Sequence, residues 1–167
     1  MKKLLALIFA ACLVALAPSV LAAQGTQVAF GSFNHDASLP VEITADALEI
    51  SQADGTAIFR GNVVIGQGDL RMSAGQVLVV YASGDDATGQ ISRLTASGGV
   101  TLVNGAEAAE AQEATYSIDE GLIVMSGGVI LTQGRNALSA ERLVVNLKTG
   151  TGTLEGRVKT ILQTDGN

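Results

Sequence analysis

Few side chains in this 167-residue chain could take part in catalysis, and none is well placed for it. Two carboxylate pairs, Asp85-Asp86 and Asp119-Glu120, have the composition of a general acid and base. Both sit in turn-forming runs, Ser83-Gly84-Asp85-Asp86 and Asp119-Glu120-Gly121, where acidic residues serve solvation and turn geometry. The chain has one histidine, His35, in a stretch rich in Gly, Ser and Asn that offers it no rigid Ser or Asp partner. Gly-Asp and Gly-Gly steps invite a calcium-binding β-roll, but its nonapeptide period is missing. No glycine-rich loop opens a helix that could cradle phosphate. The expectation is a binding protein: no enzyme, no catalytic residue, no metal site, no cofactor.

The N-terminus explains the fate of the lone cysteine. Lys2 and Lys3, the apolar run Leu4 to Ala17 and the small-residue site Val20-Leu21-Ala22 read as a secretory signal peptide over residues 1–22, cleaved after Ala22 or Ala23. The run is short and interrupted by Pro18, unlike a retained membrane span. Cleavage removes Cys12, so the mature chain reaches an oxidising compartment with neither disulfide nor thiolate ligand. It also removes two lysines, leaving eight basic against sixteen acidic residues, a net charge of −8. That balance excludes nucleic acid, which needs a basic footprint.

The elements left to position any binding site repeat. Ala45, Ala74, Ala111 and Ala140 each head a strand-like segment and lie 29, 37 and 29 residues apart. Val63, Val100, Val129 and Val158 each follow a glycine step and lie 37, 29 and 29 apart. An 8-residue insertion around Ala82 to Gly89 accounts for the irregular interval. Within each Ala-headed segment the apolar phase slips by one residue: Met72 and Ala74 give way to Val77 and Val79, and Leu138 and Ala140 to Leu143 and Val145. A slip at a fixed place in successive strands predicts a recurrent β-bulge. Two packed antiparallel sheets, bent at those bulges, follow; a β-solenoid is the rival geometry. The segment Gly105 to Glu113 has strong helix propensity but falls in register with strand-like sisters, so it is read as strand.

The expected layout is a flexible N-terminal arm over 23–38, one β domain over 39–163 beginning at Leu39-Pro40, and a tail over 164–167. Without its leader the chain has three Phe, two Tyr and no Trp, so its interior must be aliphatic. Composition leaves open whether that interior is a dry core or a groove for an apolar guest.

The stretch Leu39 to Leu48, then Gly55 to Ile65 and Gln67-Gly68, closely resembles the OstA-like family of lipopolysaccharide transport proteins. Ser97-Gly98-Gly99-Val100, Ser126-Gly127-Gly128-Val129 and Gly156-Arg157-Val158 continue the same pattern. The resemblance implies an all-β, twisted open antiparallel β-jellyroll of four related repeats. It implies a periplasmic bridge that binds lipopolysaccharide by its lipid A acyl chains. Copies would stack head to tail between inner-membrane-anchored and outer-membrane OstA-like partners. By matching positions, Val41, Ile43, Val63, Ile65, Val100, Leu102, Tyr116, Ile118, Val129 and Leu131 are expected to face the lipid groove. Docking edges are expected at Leu39 to Ala45 and at Gly156 to Gln163, with Arg71, Arg93, Arg135 and Arg142 as candidates for lipid phosphates. Another component of the same pathway, or a structural secreted β-repeat protein, are the competing readings.

Overall fold

A computed structural model describes residues 25–29, 36, 38–83 and 89–161. All regular structure among them is β. The strands are β1 (Thr26–Ala29), β2 (Glu42–Thr44), β3 (Ala47–Ser51), β4 (Thr56–Gln67), β5 (Leu70–Tyr81) and β6 (Ile91–Asn104). They continue as β7 (Glu107–Ser117), β8 (Leu122–Gln133), β9 (Asn136–Asn146), β10 (Thr151–Glu155) and β11 (Lys159–Ile161). They form one antiparallel sheet in the order β1-β10-β9-β8-β7-β6-β5-β4-β2, with β3 also on β4 and β11 also on β9. Short hairpins join sequential neighbours, as the turn-forming dipeptides demand. The segment of high helix propensity lies largely in β7: its buried positions are the small Ala109 and Ala111, and pairing on both sides overrides propensity.

The long strands fold over at their middles. Register shifts between Arg60 and Val63, Ser97 and Val100, and Ser126 and Val129 set two residues of β4, β6 and β8 against one residue of a neighbour. The extra pairs are Gly61-Asn62, Gly98-Gly99 and Gly127-Gly128, and Gly156-Arg157 makes the same bend between β10 and β11; every one of these residues has positive φ. Gly127 shows why the first place must be glycine: at φ 89° a Cβ there would come 2.7 Å from the Gln112 Cβ. The second place faces open space at Gly99 and Gly128 and elsewhere admits Asn62 and Arg157. On the Ala-headed strands the buried positions jump from Ala74 to Val77, from Ala111 to Ala114 and from Ala140 to Leu143, the slip read from the sequence.

Bending every strand along one line turns the sheet into two layers. Layer one holds β3, residues 56–60, 76–81, 91–97, 113–117, 122–126 and 142–146, then β10 and β1. Layer two holds β2, residues 63–67, 70–74, 100–104, 107–111, 129–133 and 136–140, then β11. The layers meet at the bend and face each other across an aliphatic interior, the architecture of a β-jellyroll.

The predicted flexible arm over 23–38 requires correction, since Thr26–Ala29 within it is strand β1 on the outer side of β10. Four residues carry too little alternation to announce a strand; the open edge of β10 and the half-buried Val28 make it one. The expected edges change accordingly. At the N-terminal side β2 and β3 share the edge, β2 in layer two and β3 in layer one. At the C-terminal side β11 is the edge of layer two only, and β1 is the edge of layer one.

Candidate functional site: the aliphatic interior

The ten residues expected at the groove all turn toward the space between the layers. Val63, Ile65, Val100, Leu102, Val129 and Leu131 line the inner face of layer two at 0–4% exposure. Tyr116 reaches in from layer one at 1%. Val41, Ile43 and Ile118 are half-buried against the same core, with Ile43 paired to Ile65 in the β2–β4 ladder. Where an open groove was expected, seven of the ten positions, Tyr116 and the six of layer two, are covered by protein: the two aliphatic faces pack against each other. Access to them requires the layers to part. The facing wall, which matching positions missed, is Val77, Val79, Leu94, Ile123, Leu143 and Val145 of layer one, all at 0–1%. The signal was present, since each lies within five residues of the glycine step or the phase slip of its strand, Leu94 and Ile123 before it and the others after it.

Among the described residues the buried set contains one polar side chain, Gln67, at 2% exposure. It stands at the tip of layer two, where β4 ends. Its Oε1 accepts a 2.8 Å hydrogen bond from the Tyr116 hydroxyl of layer one, and its Nε2 donates 3.0 Å to the Leu39 carbonyl. Loss of hydration pushes the Tyr116 hydroxyl up to about 12. A second tie joins the tips on the other side, where Gln133 Nε2 of β8 donates to the Ala29 carbonyl of β1. Gln133 also donates to Glu107 Oε1 at 3.2 Å, while Glu107 Oε2 is shielded from water and has no hydrogen-bond partner among the described residues. Desolvation raises the Glu107 carboxyl above its ordinary value, opposed by the Gln133 bond.

Both ties connect a tip of layer two to a tip of layer one three strands further along, β4 to β7 and β8 to β1. At a strand spacing of about 4.8 Å that is an offset of about 14 Å. The layers share strands at the bend, so the offset at their tips measures how far sheet twist has rotated one layer across the other.

The remaining polar candidates are scattered. Arg71 of β5 donates to the Gly68 and Leu70 carbonyls beside an outer hollow lined by Glu42, Thr44 and Val64. Arg142 of β9 is paired with Glu155 at 2.6 Å. Arg93 is on β6 and Arg135 in the β8–β9 turn, so the four cations form no single cluster. Asp119 and Glu120 occupy the β7–β8 turn, and the Asp119 carbonyl accepts from Lys148 Nζ at 2.8 Å. His35, Asp85 and Asp86 lie outside the described residues.

The whole arrangement is suited to holding hydrocarbon. A model of the family described as LptA/(LptD N-terminal domain) LPS transport protein matches residues 42–151, from β2 to the start of β10. The chain belongs to this family. The family agrees with the OstA-like resemblance read from Leu39 to Leu162. An uncharacterised protein of Rhizobium meliloti strain 1021 is 32% identical over 90 residues, which are 52% of this chain and 48% of that protein. The chain spans about half the length of that curated relative. The crystal structure of LptH from Pseudomonas aeruginosa, described as the LptA homologous periplasmic component of the conserved lipopolysaccharide transport device, superposes with a TM-score of 0.68. The match has 17% identity and covers 78% of this chain and 99% of that one, so what it establishes is the LptA-like β-jellyroll fold.

Proposed function

We propose that this protein is a periplasmic carrier that holds lipopolysaccharide by its acyl chains between the two layers and passes it along a head-to-tail series of similar jellyrolls. The observation that carries this reading is the interior itself. It runs from the β2/β3 edge to the β1/β11 edge, and Gln67 is its one buried polar residue among those described. Hydrocarbon against hydrocarbon is not directional, so an acyl chain can replace wall-to-wall contacts and slide at little net cost. Each methylene taken from water contributes about 0.8 kcal/mol. Breaking the buried Gln67–Tyr116 bond costs at most about 3 kcal/mol. About four methylenes offset that loss, and a lipid A acyl chain has more.

The same reading gives the edges their use. β11 runs antiparallel to β9 and β2 antiparallel to β4, so translating one copy along the sheet sets its β11 antiparallel to the next copy's β2. Strand addition at such an edge joins copies, or joins this chain to inner-membrane-anchored and outer-membrane OstA-like partners. Residues 1–22 act as the cleaved leader that delivers the chain to the periplasm.

The test is photo-crosslinking to lipopolysaccharide from reporters at Ile43 and Ile118, the half-buried inward positions, with Glu42 and Thr44 as outward controls. Crosslinks from Ile43 and Ile118 support the carrier. Crosslinks confined to Glu42 and Thr44 overturn it.

A further inference from the structure

We propose that β1 is a detachable guard strand: it occupies the β10 edge in place of β3 from a second copy of this chain, and it leaves when two copies join through both layers. The guard rests on the head-to-tail reading above and names what regulates that joint. Strand parity carries it. Among the described residues layer two reads β2-β4-β5-β6-β7-β8-β9-β11 from edge to edge, eight strands, each antiparallel to the next. Layer one reads β3-β4-β5-β6-β7-β8-β9-β10-β1, nine strands. An even count lets a following copy continue the ladder antiparallel; an odd count does not. With β1 in place, the next copy's β3 runs parallel to it. That β3 also lies one strand spacing, about 4.8 Å, out of step with the β11–β2 joint in layer two. With β1 gone, both layers hold eight strands. The halves β10 and β11 then meet the next copy's β3 and β2, antiparallel in both layers.

The side chains suit β3 better than β1. The inward cross-strand row that starts at Ile50 of β3 reaches Gly152 of β10, where Val28 of β1 now stands opposite. The row that starts at Leu48 reaches Leu154, opposite Thr26. Carried on by a second copy, these rows set Ile50 against Gly152 and Leu48 against Leu154. Each incoming side chain is larger and more apolar than the one it replaces. Both are exposed in the single copy, Ile50 at 62% and Leu48 at 53%, so their burial favours the exchange. β3 and β10 match at five residues each, while β1 has four. On the outward side Glu49 falls opposite Thr153 and Ala47 opposite Glu155, so no like charges meet directly. What holds β1 is slight: four paired residues, the half-buried Val28 and the Gln133 bond to the Ala29 carbonyl.

The test uses the chain freed of its leader, residues 23–167, and reads self-association by analytical ultracentrifugation and amide hydrogen exchange by mass spectrometry. A guard lowers the apparent affinity by the fraction of copies whose β10 edge is free. At Gly25 a Cβ would come 2.7 Å from Thr153 Cγ2 and 2.9 Å from the Leu154 carbonyl oxygen. Gly25→Ala therefore loosens β1 and should tighten self-association about tenfold. Gln27→Cys with Thr153→Cys pins β1, because residues directly opposite stand about 4.5–5.5 Å apart, within disulfide reach. The oxidised pair should associate about tenfold more weakly than the same protein reduced. Ile50→Asp, at an exposed position of the incoming strand, should weaken association about tenfold or more. In the associated protein the Thr26–Ala29 amides should exchange faster, and those of Ala47–Ser51 slower, than in the single copy. Equal association by the oxidised and reduced pair overturns the guard and leaves the head-to-tail reading standing. So does association that keeps the Thr26–Ala29 amides protected, or that is indifferent to Ile50→Asp. No association by any form, Gly25→Ala included, overturns the guard and the head-to-tail reading together.

Discussion

The bend and the mouth of this jellyroll hold the same two layers by opposite means. At the bend the restraint is backbone: pairs of residues with positive φ, Gly61-Asn62, Gly98-Gly99, Gly127-Gly128 and Gly156-Arg157, recur at one level in strand after strand. At the mouth it is a few side chains, Gln67 to Tyr116 and Gln133 to Ala29, each used once. A restraint written into φ cannot be relaxed without refolding, whereas one hydrogen bond between tips can break and re-form.

The largest effects are expected at the bend. Gly127→Val should lower stability by about 3 kcal/mol or more, because it adds a β-branched side chain at φ 89° and drives Cβ into Gln112. Gly128→Asn, one residue on and facing open space, should cost under about 1 kcal/mol, as a urea titration of the two variants will measure. Equal losses would contradict the distinction between first and second places of the bend. Next comes the mouth. Tyr116→Phe should lose about 1 kcal/mol at neutral pH by the same titration, the net worth of one buried hydrogen bond.

The same residue predicts a pH dependence of known sign. Its folded value, about 12, lies above the ordinary 10.0, so its contribution is fully present below pH 10 and is lost as pH rises through 12. Stability of the wild-type chain should therefore fall across that window more steeply than that of Tyr116→Phe. Parallel curves would show that the hydroxyl is already hydrated in the folded state. The smallest effect is expected at Glu107, whose carboxyl is also raised. Its contribution is complete below the ordinary carboxylate range and declines as pH climbs through the folded value. Glu107→Gln should shift the urea midpoint upward at pH 7 relative to pH 4, by comparison with wild type.

Much of the architecture was legible along the chain. The alternation in Leu143-Val144-Val145-Asn146-Leu147 and the slip at Ala140 foretold both the strand and its bend, since side-chain parity and glycine placement are local quantities. The inward orientation of Val63, Val100 and Val129 was expected instead from the family resemblance, by matching positions. Strand β1 was not: Thr26–Ala29 has no pattern of its own and exists through the open edge of β10, some 120 residues later. The closure of the interior was equally hidden, because alternation assigns a side chain to a face but says nothing about the distance to the opposite wall. Nor did any motif mark the pairing of Gln67 with Tyr116, which lie 49 residues apart.

What the sequence determined by itself is the sheet, its bends and the chemistry of its two inner faces, because period-two alternation and positive-φ pairs act over a few bonds. Which tip meets which was decided only in three dimensions. Twist accumulates strand by strand until layer two lies three strands out of step with layer one, and no short stretch of chain carries that sum.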